Sequence, residues 1–367
     1  TVLAVELSDQ QGRAVQVIAG QIKEGARRLW LAGYAGSGKS TIIPHLIEAT
    51  GSRRPLLCAP TNKAARVIAA KTGRHAMSIH KAIYFPPGED EASRLTWDVC
   101  PEGPASDADV IFVDEASMVG GRLGSDLESF GVPIIAIGDP GQLPPVQDVP
   151  HFCVGEPDFM LTEIHRQALD NPIIRLSKDI REGVRLSRGR MGDAVTIAEP
   201  GEVEIDPEAL PQIIVGTHRR RWSVTSTIRD VMGHEGWLPK SGEPLLCKKN
   251  STETRLINGM LCMTVDCKQD GAKSARINLI DDDGQWLEVD TWTGLFAEHR
   301  DRKRLERSIP PRDLESFDFG WAITCHSAQG SQWPNVLVYD ESRCFRDDAR
   351  KWAYTAVTRA SERLTII

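Results

Sequence analysis

The chain has 367 residues, enough for two or three domains with cores of their own. Hydrophobic content of 41% and charged content of 26% match an ordinary globular protein and exclude disordered, collagen-like and membrane-embedded classes. A net charge of −7 excludes a uniformly basic, histone-like binder but leaves room for a local basic groove.

Residues 8–25, SDQQGRAVQVIAGQIKEG, place Ala14, Val17, Ile18 and Ile22 on one helical face, with Ser8 or Asp9 as cap and Gly25 as terminator. Gln10 and Gln11 fall in the first turn, where a glutamine amide either faces solvent or reads N6 and N7 of an adenine. The apolar run Leu29–Ala32 predicts a strand, and it leads into GYAGSGKS, Gly33 to Ser40, ahead of a helix from Thr41 to Thr50. Strand, glycine turn and helix start form the context in which G-x-x-x-x-G-K-[ST] signals a phosphate-binding loop. Gly33, Gly36 and Gly38 let backbone N–H groups turn inward around an anion, and the helix N-terminus adds partial positive charge. Tyr34, Ala35, Ser37 and Thr41 complete the expected cradle. Lys39 is expected to reach the β and γ phosphates and the Ser40 hydroxyl to sit on Mg²⁺.

Leu56–Ala59 predicts the next strand, ending in Pro60-Thr61-Asn62, with a helix over 64–70. Thr61 either caps that helix or contacts a polyanion. Repeated strand, loop and helix predict a parallel sheet with ligand contacts at the carboxyl ends of its strands. The alternation breaks over 82–108, where runs at Ile83–Phe85 and Leu95–Val99 flank a Pro-Gly and acidic turn, predicting an inserted β-hairpin. Phe85 and Trp97 form either a local core or an exposed wedge.

Val110–Val113 is an apolar strand ending in Asp114-Glu115, and Pro133–Ile137 is another, ending in GDPGQ. Downstream of a phosphate loop, Asp114 is expected to hold Mg²⁺ through water and Glu115 to polarise the attacking water. Arg166 follows in LTEIHRQ, then a helix near Pro172 to Arg181 and an irregular stretch from Gly183 to Pro211. Runs at Gln212–Gly216, Pro244–Cys247, Gly320–Cys325, Val336–Tyr339 and Leu364–Ile367 predict a second parallel sheet. Residues 260–318 interrupt it with MLCMTVDC, SARINLIDD and WLEVDTW, the pattern of a small barrel. The basic runs Arg219–Arg221 and Arg300–Arg307 are either solvated faces or nucleic-acid contacts.

Eight cysteines include no C-x-x-C pair, so reduced thiols are expected rather than a zinc site. Neither a leader pattern nor an apolar run of spanning length is read, which predicts a cytoplasmic protein without membrane partners.

GYAGSGKS, APTNKAA, SIHK, DEASM, GDPGQLPPV, LTEIHRQ, ITCHSAQGS and YTAVTRA follow the motif order of superfamily 1 helicases. The pattern most resembles the RecD/Dda-like 1B branch, from Gln11 to Arg359. The resemblance implies an α/β fold of two RecA-like domains: 1A over 1–80 and 109–168, and 2A over 169–258 and 319–367. It adds a 1B pin at 81–108 and an SH3-like 2B insert at 259–318, introduced by the Asn258-Gly259 turn. It implies that Gln11, in a Q-x-x-A spacing with Ala14, reads adenine. Gln142 would meet the γ-phosphate or the attacking water, Gly330 would join the nucleotide pocket, and Arg166 and Arg359 would be arginine fingers. For a DNA strand it points to Pro60, Thr61, Asn62, His80, Phe85, Thr217, Thr324 and His326. Two departures stand out: Ser327 and Ala328 replace a lysine and serine common in relatives, and Thr217 lacks the usual following asparagine and lysine.

The implied function is an ATP- and Mg²⁺-dependent 5′ to 3′ DNA helicase in the cytoplasm, at the nucleoid or in viral replication. Its implied partners are single-stranded DNA, single-strand/duplex junctions, and replication, recombination or repair proteins. Alternatives are a translocase or nuclease-complex subunit with little unwinding, a viral RNA helicase, or a non-motor ATP-gated binding module. Glu115, Gln142, Arg166 and Arg359 together argue against the last, since a switch without turnover needs no water activator or fingers.

Overall fold

Runs such as Val110–Val113 and Ile134–Gly138 are apolar or glycine at every position, so a sheet built from them must be covered on both faces. The computed structural model describes residues 6–86, 88–89, 95–146, 148–163, 170–203, 206, 209–251, 253–281, 283–297, 311 and 313–367. The chain falls into two units, divided between Val184 and Arg185. In the first, six parallel strands run in the order Ala76–Ser78, Pro55–Ala59, Val110–Val113, Ile134–Gly138, Arg28–Gly33 and Phe159–Leu161. Alternate residues serve opposite cores, as the pleat requires. Leu31, Leu57, Phe112 and Ile135 pack with Ile18 and Leu46 on one face, while Cys58, Ile111, Val113 and Ala136 pack with Ile79, Ile83 and Leu127 on the other.

Helix Asp9–Lys23 begins in a capping box: Ser8 Oγ accepts the Gln11 amide at 3.3 Å and Gln11 Oε1 accepts the Ser8 amide at 3.0 Å. Its buried stripe is Gln11, Ala14, Val15, Ile18 and Ala19, and Val17 is 40% exposed. The expected placement of Val17 on the apolar face is therefore corrected, since an i, i+3, i+4, i+7 stripe starting at Gln11 skips it. The helix after the phosphate loop also differs, opening with a 3-10 turn, Lys39–Ile42, before the α-helix Ile43–Thr50.

In the predicted hairpin, Gly88–Glu89 pairs antiparallel with Leu95–Thr96, extended by a Tyr84–Val99 bridge. Phe85 is 50% exposed, while the Trp97 ring lies 4.8 Å from His80 and 5.6 Å from Tyr84. The aromatic cluster at the hairpin base therefore uses Tyr84 and His80.

The second unit contains a sheet in the order Ala322–Thr324, Gln212–Val215, Trp333–Val338, Ala360–Ile366, Val195–Ile197 and Gly189–Met191, antiparallel only at the last pair. Pro244–Cys247 is not part of it. That strand closes a five-stranded barrel with Leu261–Gln269, Ser274–Ile280, Trp286–Trp292 and Glu315–Phe319. Leu245, Ile277, Leu279, Val289, Phe317 and Phe319 fill its interior. Among the described residues no helix is long and apolar enough to cross a membrane.

Candidate nucleotide and strand site

Strands Arg28–Gly33, Val110–Val113 and Ile134–Gly138 are neighbours, so their carboxyl ends deliver the phosphate loop, Asp114 and Asp139 to one edge. Gly36 and Gly38 sit at φ 80° and 73°, the left-handed region that a loop turning its amides inward requires. The carbonyl of Tyr34 is the hub of the loop. It accepts the Ser37 amide at 3.2 Å, the Ser37 hydroxyl at 2.8 Å and Lys39 Nζ at 2.9 Å. Lys39 Nζ also lies 3.6 Å from the buried carboxylate of Asp139. The Thr41 amide donates to Gly38 O at 3.0 Å, closing the first turn, and Ala35 lies in the same loop.

Ser40 Oγ donates to Asp114 Oδ2 at 2.8 Å, joining two motifs far apart in sequence, while Asp114 Oδ1 accepts the Glu115 amide at 2.9 Å. Glu115 adopts φ 52°, an uncommon conformation for a non-glycine residue and one that gathers at functional sites. Gln142 is 7% exposed, and its Oε1 has no hydrogen-bond partner among the described residues. Its amide donates to Asp139 O at 3.2 Å, which ties it to the same turn. Gln11 is buried and donates Nε2 to Ser37 O at 3.2 Å, so the expected adenine reader touches the phosphate loop itself.

These residues fit Mg²⁺ and a nucleotide. A hydroxyl and a carboxylate in contact are the hard oxygen donors that Mg²⁺ takes alongside phosphates, and a buried, unpaired carboxamide oxygen beside them suits a water or hydroxyl donor. No cage of three His, Cys, Asp or Glu side chains occurs among the described residues, and a Mg²⁺ site completed by phosphates needs none. Cys153, beside this edge, is pushed up to about 12 by burial and then by Asp139 and Glu115, so it stays a thiol.

Arg166 lies outside the described residues, as does the basic run 300–307. Pro60, Thr61 and Asn62 follow the strand Pro55–Ala59, and Thr61 is a helix cap accepting the Ala64 amide at 3.1 Å. His80, in the helix Ile79–Ile83, is lowered by burial and packs on Trp97.

In the second unit Thr217 caps the helix His218–Val231, accepting the Arg220 amide at 3.2 Å. Its hydroxyl donates to Glu341 Oε1 at 3.1 Å, and Glu341 Oε2 accepts the Gly216 and Thr217 amides at 2.8 and 3.0 Å. Arg221 is buried in an ion pair with Asp318, which removes it from the basic run read as a nucleic-acid contact. Thr324 caps Cys325–Ala328 and bonds the Ser327 hydroxyl at 2.9 Å. His326, lowered by burial, faces Phe345 at 5.9 Å. Arg359 is 5% exposed and donates to Thr355 O and Ser331 O, both at 3.0 Å, and to Thr358 Oγ1 at 3.1 Å. The Ser331 carbonyl follows Gly330, at φ 73°, so Gly330 and Arg359 are brought together.

Sequence reasoning gave no role to Asp139, although it lies in the GDPGQ string. It missed Glu341 and the packing of Arg181 on Tyr34 altogether. Those partners stand far apart along the chain and carry no local signal.

A family model described as an AAA domain matches residues 6–198, and a second, a UvrD-like helicase C-terminal domain, matches 319–367. The ATP-dependent RecD2 DNA helicase of Deinococcus radiodurans is 28% identical over 97% of this chain and 48% of its own length. The ATP-dependent DNA helicase dda of Enterobacteria phage T4 is 30% identical over 48% of this chain and 43% of its own length. The chain thus spans about half the length of these curated relatives. A crystal structure of Bacteroides Pif1 bound to ssDNA covers 99% of this chain and 92% of its own, at TM-score 0.60 and 18% identity, a likeness of fold.

Proposed function

Since the chain belongs to the superfamily 1B helicases of the RecD/Dda type, with an AAA-domain match over 6–198, we propose that it is an ATP- and Mg²⁺-dependent motor. The motor moves 5′ to 3′ along single-stranded DNA and separates the duplex ahead of it. One observation carries the reading: the 2.8 Å contact of Ser40 with Asp114, which joins the phosphate loop to an acidic strand end. Ser40 and Asp114 would hold Mg²⁺, which when bound would supply charge neutralisation at the β and γ phosphates.

The chain's own groups do the rest. Lys39 exchanges its Tyr34 carbonyl for phosphate oxygens, Glu115 orients and polarises the attacking water, and Gln142 offers to the same water its carboxamide oxygen, which has no partner among the described residues. Arg359 serves as the finger from the second unit. Its guanidinium is held by the Ser331 and Thr355 carbonyls, which fix the orientation of its forked head group. Arg166 supplies a second guanidinium.

In this reading residues 1–80 and 109–168 act as 1A, with the helix Pro172–Glu182 grouped with that first unit rather than with 2A, 81–108 act as the pin 1B, the rest of 169–258 with 319–367 as 2A, and 259–318, closed by the strand Pro244–Cys247, as 2B. Thr61 and Thr324 grip phosphates without reading sequence, alongside Pro60, Asn62, His80, Phe85 and His326, and Thr217 joins them on exchanging Glu341 for a phosphate oxygen. Replication, recombination or repair proteins are its partners.

The test is ATP hydrolysis with and without single-stranded DNA, with Lys39→Ala as control. Stimulation well above about twofold, lost in the variant, is expected; stimulation below that sinks the motor. Unwinding of 5′-tailed but not 3′-tailed duplexes checks the polarity, and an RNA duplex checks the substrate.

A further inference from the structure

We propose that Arg181 is a positioning residue for the phosphate loop, acting through the ring of Tyr34; the inference rests on the reading of that loop as an ATP site. The guanidinium carbon of Arg181 lies 3.3 Å from the centroid of the Tyr34 ring, a face-on stack. Arg181 stands in the last turn of the helix Pro172–Glu182, a rigid mount: Asn171 caps its start, and Ile173, Leu176 and Ile180 are buried. Among the described residues its nearest carboxylate is the adjacent Glu182, at 4.0 Å and half exposed, a contact too long and too wet to hold the head group. The ring is therefore what fixes the guanidinium, and a planar, weakly hydrated cation suits that face better than an ammonium.

Tyr34 is the only aromatic residue in Gly33–Ser40, and its carbonyl carries Ser37 and Lys39 together. Gly36 and Gly38, at φ 80° and 73°, give this segment a backbone that wanders unless something pins it. The stack pins it through its one bulky hydrophobic face. Lys39 is thereby parked within reach of the anion it is to meet, and the loop amides are held in one arrangement before nucleotide arrives. Arg181 need not touch the nucleotide for this; its effect passes through Tyr34, so it belongs to binding more than to the chemical step.

The test measures KM and kcat for ATP at saturating single-stranded DNA, with ATP affinity by equilibrium titration. Arg181→Ala and Tyr34→Leu are each expected to raise KM three- to tenfold, on the order of one cation–π contact, with kcat within about twofold of wild type. Tyr34→Phe keeps the ring face and is expected to raise KM less than Tyr34→Leu does. Arg181→Lys falls between wild type and Arg181→Ala, and the double variant is no worse than the stronger single one, because both remove one contact. An unchanged KM in Arg181→Ala, additive single variants, or Tyr34→Phe behaving as Tyr34→Leu overturns the inference. A wild-type chain that neither binds nor hydrolyses ATP overturns the ATP reading instead. Turnover by wild type with an unaltered Arg181→Ala overturns this inference alone.

Discussion

At Gly33 the incoming strand touches the loop it feeds. A Cβ built there would stand 2.6 Å from Ser37 Oγ, 2.9 Å from Lys39 Cγ and 3.0 Å from Leu161 Cβ. Gly33→Ala must therefore push aside the two side chains that hang on the Tyr34 carbonyl, and overpacking of this kind costs about 1–3 kcal/mol. Gly51, at φ 74° with open space where a methyl group would stand, is a matched control: Gly51→Ala costs about 1–2 kcal/mol through backbone strain alone. Calorimetric ATP titration should show lost affinity in the first variant and wild-type affinity in the second, although both melt earlier. The glycine, lysine and serine spacing made this loop legible in the sequence because its geometry is local. Thr217 was legible only through the family resemblance, as a contact to the strand. That Glu341 takes its hydroxyl and two amides was not legible, since nothing beside Glu341 in the chain marks it.

Among the elements, the helix His218–Val231 is fixed to the barrel by charge. Arg229 Nε meets Glu243 Oε1 at 2.9 Å, its other nitrogens donate to Gly236 O and Leu238 O, and its guanidinium lies 4.4 Å from the Phe319 ring centroid. Glu243 is wholly buried and also accepts from Trp321 Nε1 and the Lys240 amide. Such a pair adds little over a hydrophobic replacement, but removing one partner leaves a charge stranded. Arg229→Met is expected to lower stability by about 3–5 kcal/mol, and Arg229→Met with Glu243→Gln to recover part of it. The readout is the urea midpoint at unchanged slope. The same neighbourhood shows where pattern reading stopped. The longer barrel strands alternate buried and exposed residues and were legible as β insert, whereas Pro244–Cys247, four residues and uniformly apolar, reads alike in a sheet or a barrel wall. The first parallel sheet was legible because its strands are apolar on both faces and end in chemistry-bearing residues.

For the whole molecule, the division at Val184 and Arg185 separates the groups proposed to hold the triphosphate from Arg359, the proposed finger. Gln11, Lys39, Ser40, Asp114 and Gln142 all belong to the first unit, so nucleotide binding should survive without the second, whereas hydrolysis should not. A finger contributes roughly 10³ to 10⁵ in rate, because charge on the transferred phosphoryl goes unneutralised without it. Arg359→Lys keeps the positive charge but loses the forked, five-donor head group that three carbonyl and hydroxyl bonds now orient. The full-length Arg359→Lys chain and a fragment of residues 6–184 are expected to bind Mg²⁺-ATP within a few-fold of wild type, a margin of about 1 kcal/mol. Both should fall by at least about 10³ in DNA-stimulated turnover. Equilibrium titration and single-turnover hydrolysis separate the two quantities. If Arg359→Lys turns over at the wild-type rate while remaining folded by circular dichroism, Arg359 is a structural clamp on Ser331 and Thr355, and the charge that completes the site must come from elsewhere, with Arg166 the first residue to substitute.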